Sequence, residues 1–267
     1  MQPSPCNGHA IRRIIIEQSM RAHVGHIGSA LSIADIIAAL FFRVLRPSLP
    51  RHPDRDRFIL SKGHAALALY AALFLQSRIS REELEGFSGN DTLLGTHPEH
   101  FLEGVDFSSG SLGQGLSIAA GAALAARMQH SKRRIYALIS DAECNEGAIW
   151  EAAMFAAHHH LSNLVCIIDL NGQQAFGKTR DVLDLSEMDS RWRSFGWDVH
   201  TLGGNDEEQL SKVMQALNYE SGPPHLLVAK TTFGKGVSFM ENQIKWHYWP
   251  LSDAEFHQAI HELEGRL

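Results

Sequence analysis

Residues 135–177 read IYALIS-DAECNEG-AIWEAAMFAAHHHL-SNLVCIIDL-NGQQAFG. The runs at 135–139 and 164–170 are short, apolar and rich in β-branched residues. Such continuous runs suit strands covered on both faces. Residues 146–160, between them, follow a helical pattern. Strand, helix, strand is one βαβ unit with parallel strands. Asp141 falls just past the first strand and Asn171 just past the second. In a parallel sheet both loops open at one edge, outside the carboxyl ends of the strands, where α/β sheets bind ligands. Two residues thirty positions apart thus become neighbours. A carboxylate, an amide oxygen and a backbone carbonyl suit Mg²⁺ or Ca²⁺ rather than zinc. The helix starting near Glu146 directs its first amides to the same edge and favours an anion there. A metal-bridged diphosphate fits this place. Taken singly, Asp141 also reads as a helix cap and Asn171 as a turn residue.

The alternation continues on both sides. Further strand-like runs lie at 58–60, 197–202 and 225–230, and helical patterns at 8–23, 32–43, 64–76, 114–129, 206–218 and 252–263. Ser32 reads as an N-cap, with Asp35 three positions later in capping-box style. The 114–129 helix is nearly apolar all round and is expected to be buried. Residues 46–56 and 86–107 read as loops. The expected fold is α/β, a parallel sheet with helices on both faces, and the whole of residues 1–267 forms one domain.

The balance of 24 Lys and Arg against 30 Asp and Glu is mildly acidic, which favours neither nucleic acid nor an anionic membrane. Three widely spaced cysteines, Cys6, Cys144 and Cys166, build neither a disulfide framework nor a zinc ribbon. The start MQPSPCNGHAIRR has no apolar segment of the secretory kind, and no apolar run is long enough to span a bilayer. A cytoplasmic location is therefore expected. The 16 histidines include His158, His159 and His160 at the end of one helix, where cations suit the dipole and a structural role is expected. No HExxH or similar zinc spacing supports an independent metal hydrolase.

Six blocks stand in order along nearly the whole chain: AHVGHIGSALS, LSKGHAALALYAAL, GTHPE, GSLGQGLSIAAGAALA, DAECNEG through IIDLNG, and TTFGKGVSFMEN with KWH. Together they resemble the N-terminal part of transketolases, and the span from Asp141 to Asn171 resembles the thiamine diphosphate motif. The resemblance implies that Asp141, the Asn171 side chain and the Gln173 carbonyl hold Mg²⁺ (or Ca²⁺). It implies that His64, His247 and the amide of Ala142 meet the diphosphate, with Gly110, Ser111 and Leu112 along the pyrimidine. His26, His97 and His247 would face substrate hydroxyls, and Glu146 would join a carboxylate network between the two halves of the site. The implied reaction moves a two-carbon ketol unit from a ketose, or ketose phosphate, to an aldose-type acceptor. Imidazoles suit the proton transfers it needs, since they give or take a proton near neutral pH.

The chain departs from the family at Ser140-Asp141-Ala142, where relatives have Gly-Asp-Gly, at Gln173 and Gln174, and at Tyr248 after His247. The domain that carries the pyrimidine-activating Glu and the sugar-phosphate residues, and the smaller C-terminal domain, are expected on a partner chain, in an α₂β₂ assembly. A non-catalytic binding or regulatory subunit on the same fold is the alternative. It sits poorly with the retention of His26, His64, His97, Glu146 and His247.

Overall fold

In a computed structural model of the chain, residues 6–49 and 52–265 are described. Strands β1 (Arg57–Leu60), β2 (Ile135–Ser140), β3 (Leu164–Leu170), β6 (Asp198–Gly203) and β7 (His225–Lys230) form one parallel sheet in the order β1-β2-β3-β7-β6. Two-residue strands β4 (Gln173–Gln174) and β5 (Gly177–Lys178) make a small antiparallel hairpin just after β3.

The helices are α1 (Gly8–Ala22), α2 (Ile27–Ser32), α3 (Ala34–Ala39), α4 (Ala66–Leu75), α5 (Arg81–Glu85), α6 (Gly115–Met128), α7 (Gly147–His158), α8 (Thr179–Val182), α9 (Met188–Ser194), α10 (Glu207–Ala216), α11 (Lys245–Tyr248) and α12 (Asp253–Glu264). Side chains alternate across a strand, so each central strand feeds two cores. Tyr136, Leu138, Val165, Ile167, Leu227 and Ala229 pack with α1 to α4, α10 and α12. Ile135, Ala137, Ile139, Leu164, Cys166, Ile168, Leu226 and Val228 pack with α6, α7 and α9. This double burial is why the strands read as continuous apolar runs. Polar caps start the outer helices: Asn7 accepts from the Ala10 amide, Asp206 from Gln209, and Ser252 forms a capping box with Glu255.

Two expectations are corrected. Ser32 does not begin a helix; it ends α2, and the backbone bends at Ile33 before α3. Its hydroxyl donates to Asp169 Oδ1 at 2.7 Å, and Asp35 pairs with Arg12. Buried carboxylates need donors, and that demand overrides the local capping pattern. Helix α6 is buried on one side only. Leu116, Ala119 and Ala123 face the sheet, while Ser117, Gly121 and Met128 are exposed. Small residues here make the outer side look apolar without placing it in the core. Among the described residues, no helix is long and apolar enough to cross a membrane.

Candidate active site

The register pairs Ser140 with Asp169, so the loops after β2 and β3 leave the sheet side by side. They touch: Asp141 Oδ2 accepts the Gly172 amide at 2.9 Å and the Thr179 hydroxyl at 3.0 Å. Asp141 Oδ1 accepts the Ala142 amide at 2.9 Å. Asp141 is 1% exposed, and burial first, then neighbouring Asp169, pushes its carboxyl up to about 6. Asn171 Oδ1 accepts the Gln173 amide at 2.9 Å, and its Nδ2 donates to Asp169 Oδ2 at 2.8 Å.

Asp169 is the hub beneath this pair. Lys62 Nζ reaches its Oδ2 at 2.5 Å, and Ser32 and Thr231 donate to its Oδ1. With its nitrogen held by Asp169, the Asn171 amide keeps its oxygen turned toward the loop. Sequence pattern alone reads Lys62 as a strand end and passes over Asp169. Their signal is an acid inside a buried apolar run, IIDL, and a lysine at the end of another. Such charges persist only when paired.

Three imidazoles meet beside these loops. Ring centroids lie 5.3 Å apart for His26 and His64, 5.2 Å for His26 and His247, and 5.7 Å for His64 and His247. His26 sits in the left-handed region (φ 60°) ahead of α2, and its amide donates to the His247 carbonyl at 3.2 Å. His64 Nε2 is 2.9 Å from Ser29 Oγ. Phe233 stacks on His247 at 6.1 Å, in space that a β-carbon on Gly28 would fill. Burial holds His26 below the ordinary histidine range, His64 well below it and His247 at about 4, with positive Lys62 adding to each. All three are neutral near pH 7 and able to accept a proton. His97 lies across the same cavity against Gly110, with Tyr70 donating to its carbonyl.

Glu143, which the sequence does not single out, ties three segments together. It is fully buried and accepts from the Ser61 hydroxyl, from the Gly113 amide at 2.7 Å and from the Ser140 amide at 3.3 Å. Ser140 Oγ accepts the Glu143 amide in return, so this departure from the family pattern serves as a cap. Ala142 begins a 3₁₀ turn without a positive φ, so its methyl group brings no backbone strain. Its amide is occupied by Asp141 and must be shared to meet an anion.

A cavity of about 510 Å³ is lined by His26, Ser29, Lys62, His64, His97, Gly110, Leu112, Ala142, Glu146, Asn171, Gln173 and His247. Of the sequence-derived residues, Asp141 lies behind this wall in a second cleft that also shares Asn171 and Gln173, and Ser111 is exposed outside both. The donor set fits a hard divalent cation: all ligand atoms would be oxygens, and burial and Asp169 raise the carboxyl of Asp141, which a bound cation would relieve. The cavity fits a polar cofactor as well. Among the described residues, His26 Nδ1, His247 Nδ1 and Asn145 Nδ2 are buried without a hydrogen-bond partner, and all three residues line it.

Comparison with known proteins bears on this geometry. Residues 7–264 match the family described as transketolase, thiamine diphosphate binding domain. One subunit of the apulose-4-phosphate transketolase of Phocaeicola vulgatus is 39% identical over 258 residues, covering 96% of this chain and 92% of its own length. A 6-deoxy-6-sulfo-D-fructose transketolase subunit from a Clostridium strain is 38% identical over 259 residues, covering 96% and 94%. The solved transketolase of Campylobacter jejuni superposes with a TM-score of 0.90 at 29% identity, over 99% of this chain and 43% of that chain. That of Leishmania mexicana gives 0.86 at 27%, over 96% and 40%. The chain thus spans about two fifths of these solved transketolases but nearly all of the two curated subunits. With its parallel sheet and its cluster of imidazoles and oxygen donors at the carboxyl edge, this chain belongs to the transketolase family, as a member of its thiamine diphosphate binding domain.

Proposed function

We propose that this chain is the diphosphate- and metal-binding subunit of a two-chain transketolase. It would transfer a two-carbon ketol unit from a ketose or ketose phosphate to an aldose-type acceptor. The observation that carries this reading is the group of three neutral imidazoles, His26, His64 and His247, packed within 6 Å of one another beside Asn171.

Asp141, Asn171 Oδ1 and the Gln173 carbonyl would hold Mg²⁺ or Ca²⁺. His64, braced by Ser29, and the Ala142 amide would bind the diphosphate, as would His247. Gly110, Ser111 and Leu112 would border the pyrimidine. Thiamine diphosphate, when bound, supplies a carbon nucleophile for the ketose carbonyl and a sink for the electrons of the bond that breaks. This chain's own residues move the protons. His26, His97 and His247 accept them from substrate hydroxyls and return them, a role that needs rings neutral at working pH. Burial, with the charge of Lys62 adding to it, keeps His26 and His247 neutral, and Lys62 holds Asp169, which in turn orients Asn171. Glu146, at the start of α7 and at the cavity rim, would meet the carboxylate network of the other half of the site.

That other half would come from a C-terminal transketolase-like subunit, in an α₂β₂ assembly. Relatives of nearly this chain's length are themselves named as single subunits of a transketolase, which supports a second chain. A cytoplasmic location fits its three free thiols.

The test is reconstitution of this chain with the transketolase-like subunit from the same source, thiamine diphosphate and Mg²⁺. Ketol transfer lost in His26→Gln and His247→Gln is expected. A stable complex that retains cofactor and transfers no ketol unit from any ketose would overturn the reading. A complex that retains no cofactor would favour the non-catalytic subunit.

A further inference from the structure

We propose that Asp198, His200 and His225 form a second metal site, for a divalent ion of the zinc class, at the edge of the sheet opposite the active site. Asp198 and His225 are the first residues of β6 and β7, and the parallel register pairs them directly. Two residues on, His200 returns to the same face as Asp198. The three ligand atoms lie within 4.8 Å of one another, and Asp198 Oδ2 is 2.9 Å from both His200 Nε2 and His225 Nδ1. Zinc bonds of about 2.0–2.1 Å in a tetrahedron set ligand atoms roughly 3.3 Å apart. Small side-chain adjustments reach that spacing.

The second observation is His225 itself. It is 2% exposed, and its Nε2 lies 2.9 Å from the Asn218 carbonyl. A carbonyl only accepts, so Nε2 carries the hydrogen. Nδ1 faces the Asp198 carboxylate oxygen at 2.9 Å, a contact that a proton or a metal ion can bridge. A backbone carbonyl on the far ring nitrogen is also the outer-shell arrangement that fixes metal-bound histidines. Two imidazoles and a carboxylate select zinc and its neighbours over Mg²⁺. Asp198 and His200 are half-exposed, so water completes the coordination. The site lies far from the sugar chemistry, and its effect would be mechanical: it joins edge strand β6 to β7 and anchors the Ser221–Pro224 turn through Asn218.

The full chain, stripped with chelator, is titrated with Zn²⁺ by calorimetry and with Co²⁺ by visible absorption. One Zn²⁺ per chain and a tetrahedral Co²⁺ band are expected, both retained when His26→Gln and His247→Gln disable the active-site imidazoles. Asp198→Asn and His200→Gln alter half-exposed side chains, and each is expected to weaken binding roughly tenfold or more. Circular dichroism verifies that both variants fold. Equal Zn²⁺ affinity in both variants would overturn the proposal. So would no Zn²⁺ uptake at micromolar concentration, which would mean that a proton sits between His225 and Asp198.

Discussion

Lys62 Nζ lies 2.5 Å from Asp169 Oδ2, and the two side chains are 1% and 0% exposed. Water reaches neither charge, so each depends on the other. Removing one member of a buried pair leaves the other uncompensated, a loss of about 3–5 kcal/mol. Lys62→Met is expected to lower stability by that order in urea unfolding. The double variant Lys62→Met/Asp169→Leu should recover part of it, because no lone charge remains. A double variant weaker than Lys62→Met would show that the pair is not the source of the loss.

Asp169→Asn preserves shape but removes the charge that holds Asn171 Nδ2. Outer-shell changes of this kind typically lower metal affinity by about 10–100-fold. Equilibrium dialysis of Mg²⁺ with thiamine diphosphate measures it, and unchanged affinity would mean that Asn171 needs no such support.

Magnesium with thiamine diphosphate should raise the unfolding midpoint of the native chain and leave that of Asp141→Asn where it was. The Asp141 carboxyl titrates at about 6 when no cation is near. Below that pH a proton competes with the metal, so apparent magnesium affinity should fall as pH drops from 7 to 5, read by the same thermal scans. An Asp141→Asn chain that responds like the native one would remove Asp141 from the metal site.

His247 titrates at about 4 in the folded chain against an ordinary value of 6.5. Between those values the unfolded chain binds more protons, so stability rises with pH over that window and is lost as pH falls through it. His26 and His64 shift in the same direction. Histidine NMR titration of the cofactor-free chain should find the His247 ring neutral at pH 6, and His247→Gln should lessen the rise of stability with pH between about 4 and 6.5, leaving the share of His26 and His64. Protonation of that ring near 6.5 would contradict the burial argument.

The Tyr248 hydroxyl donates to the Ala175 carbonyl at the tip of the β4–β5 hairpin, although the side chain is 54% exposed. The hairpin carries Gln173. Tyr248→Phe should speed amide hydrogen exchange at 173–178 and change overall stability by no more than about 1 kcal/mol. Unaltered exchange would make Tyr248 a spectator at the mouth.

The strands are the most legible part of the chain. β3 and β7 stand where their apolar runs predict, and β1, β2 and β6 lie within about a residue, because burial writes itself into local composition, whereas the short β4–β5 hairpin is not legible there. The meeting of Asp141 and Asn171 follows from that parallel pattern alone. What local pattern cannot carry is the identity of a distant partner. Ser32 has the signature of an N-cap, and only the fold reveals that Asp169, 137 positions away, claims its hydroxyl. Glu143 sits inside the most informative stretch and still gives no local sign of its role, since its partners Ser61 and Gly113 belong to other segments. The outer side of α6 misleads for a related reason: alanine and glycine suit both a core and a closely approached surface.

The unpartnered nitrogens of His26, His247 and Asn145 have a consequence for the chain's life in the cell. Each buried polar atom without a partner costs about 1–3 kcal/mol, against a typical total stability of about 5–15 kcal/mol. A molecule that binds the folded cavity and not the unfolded chain shifts the folded population by mass action. Proteases act on the unfolded fraction, so abundance follows stability. Thiamine supply would then set how much of this protein a cell keeps, as well as how fast it turns over sugar.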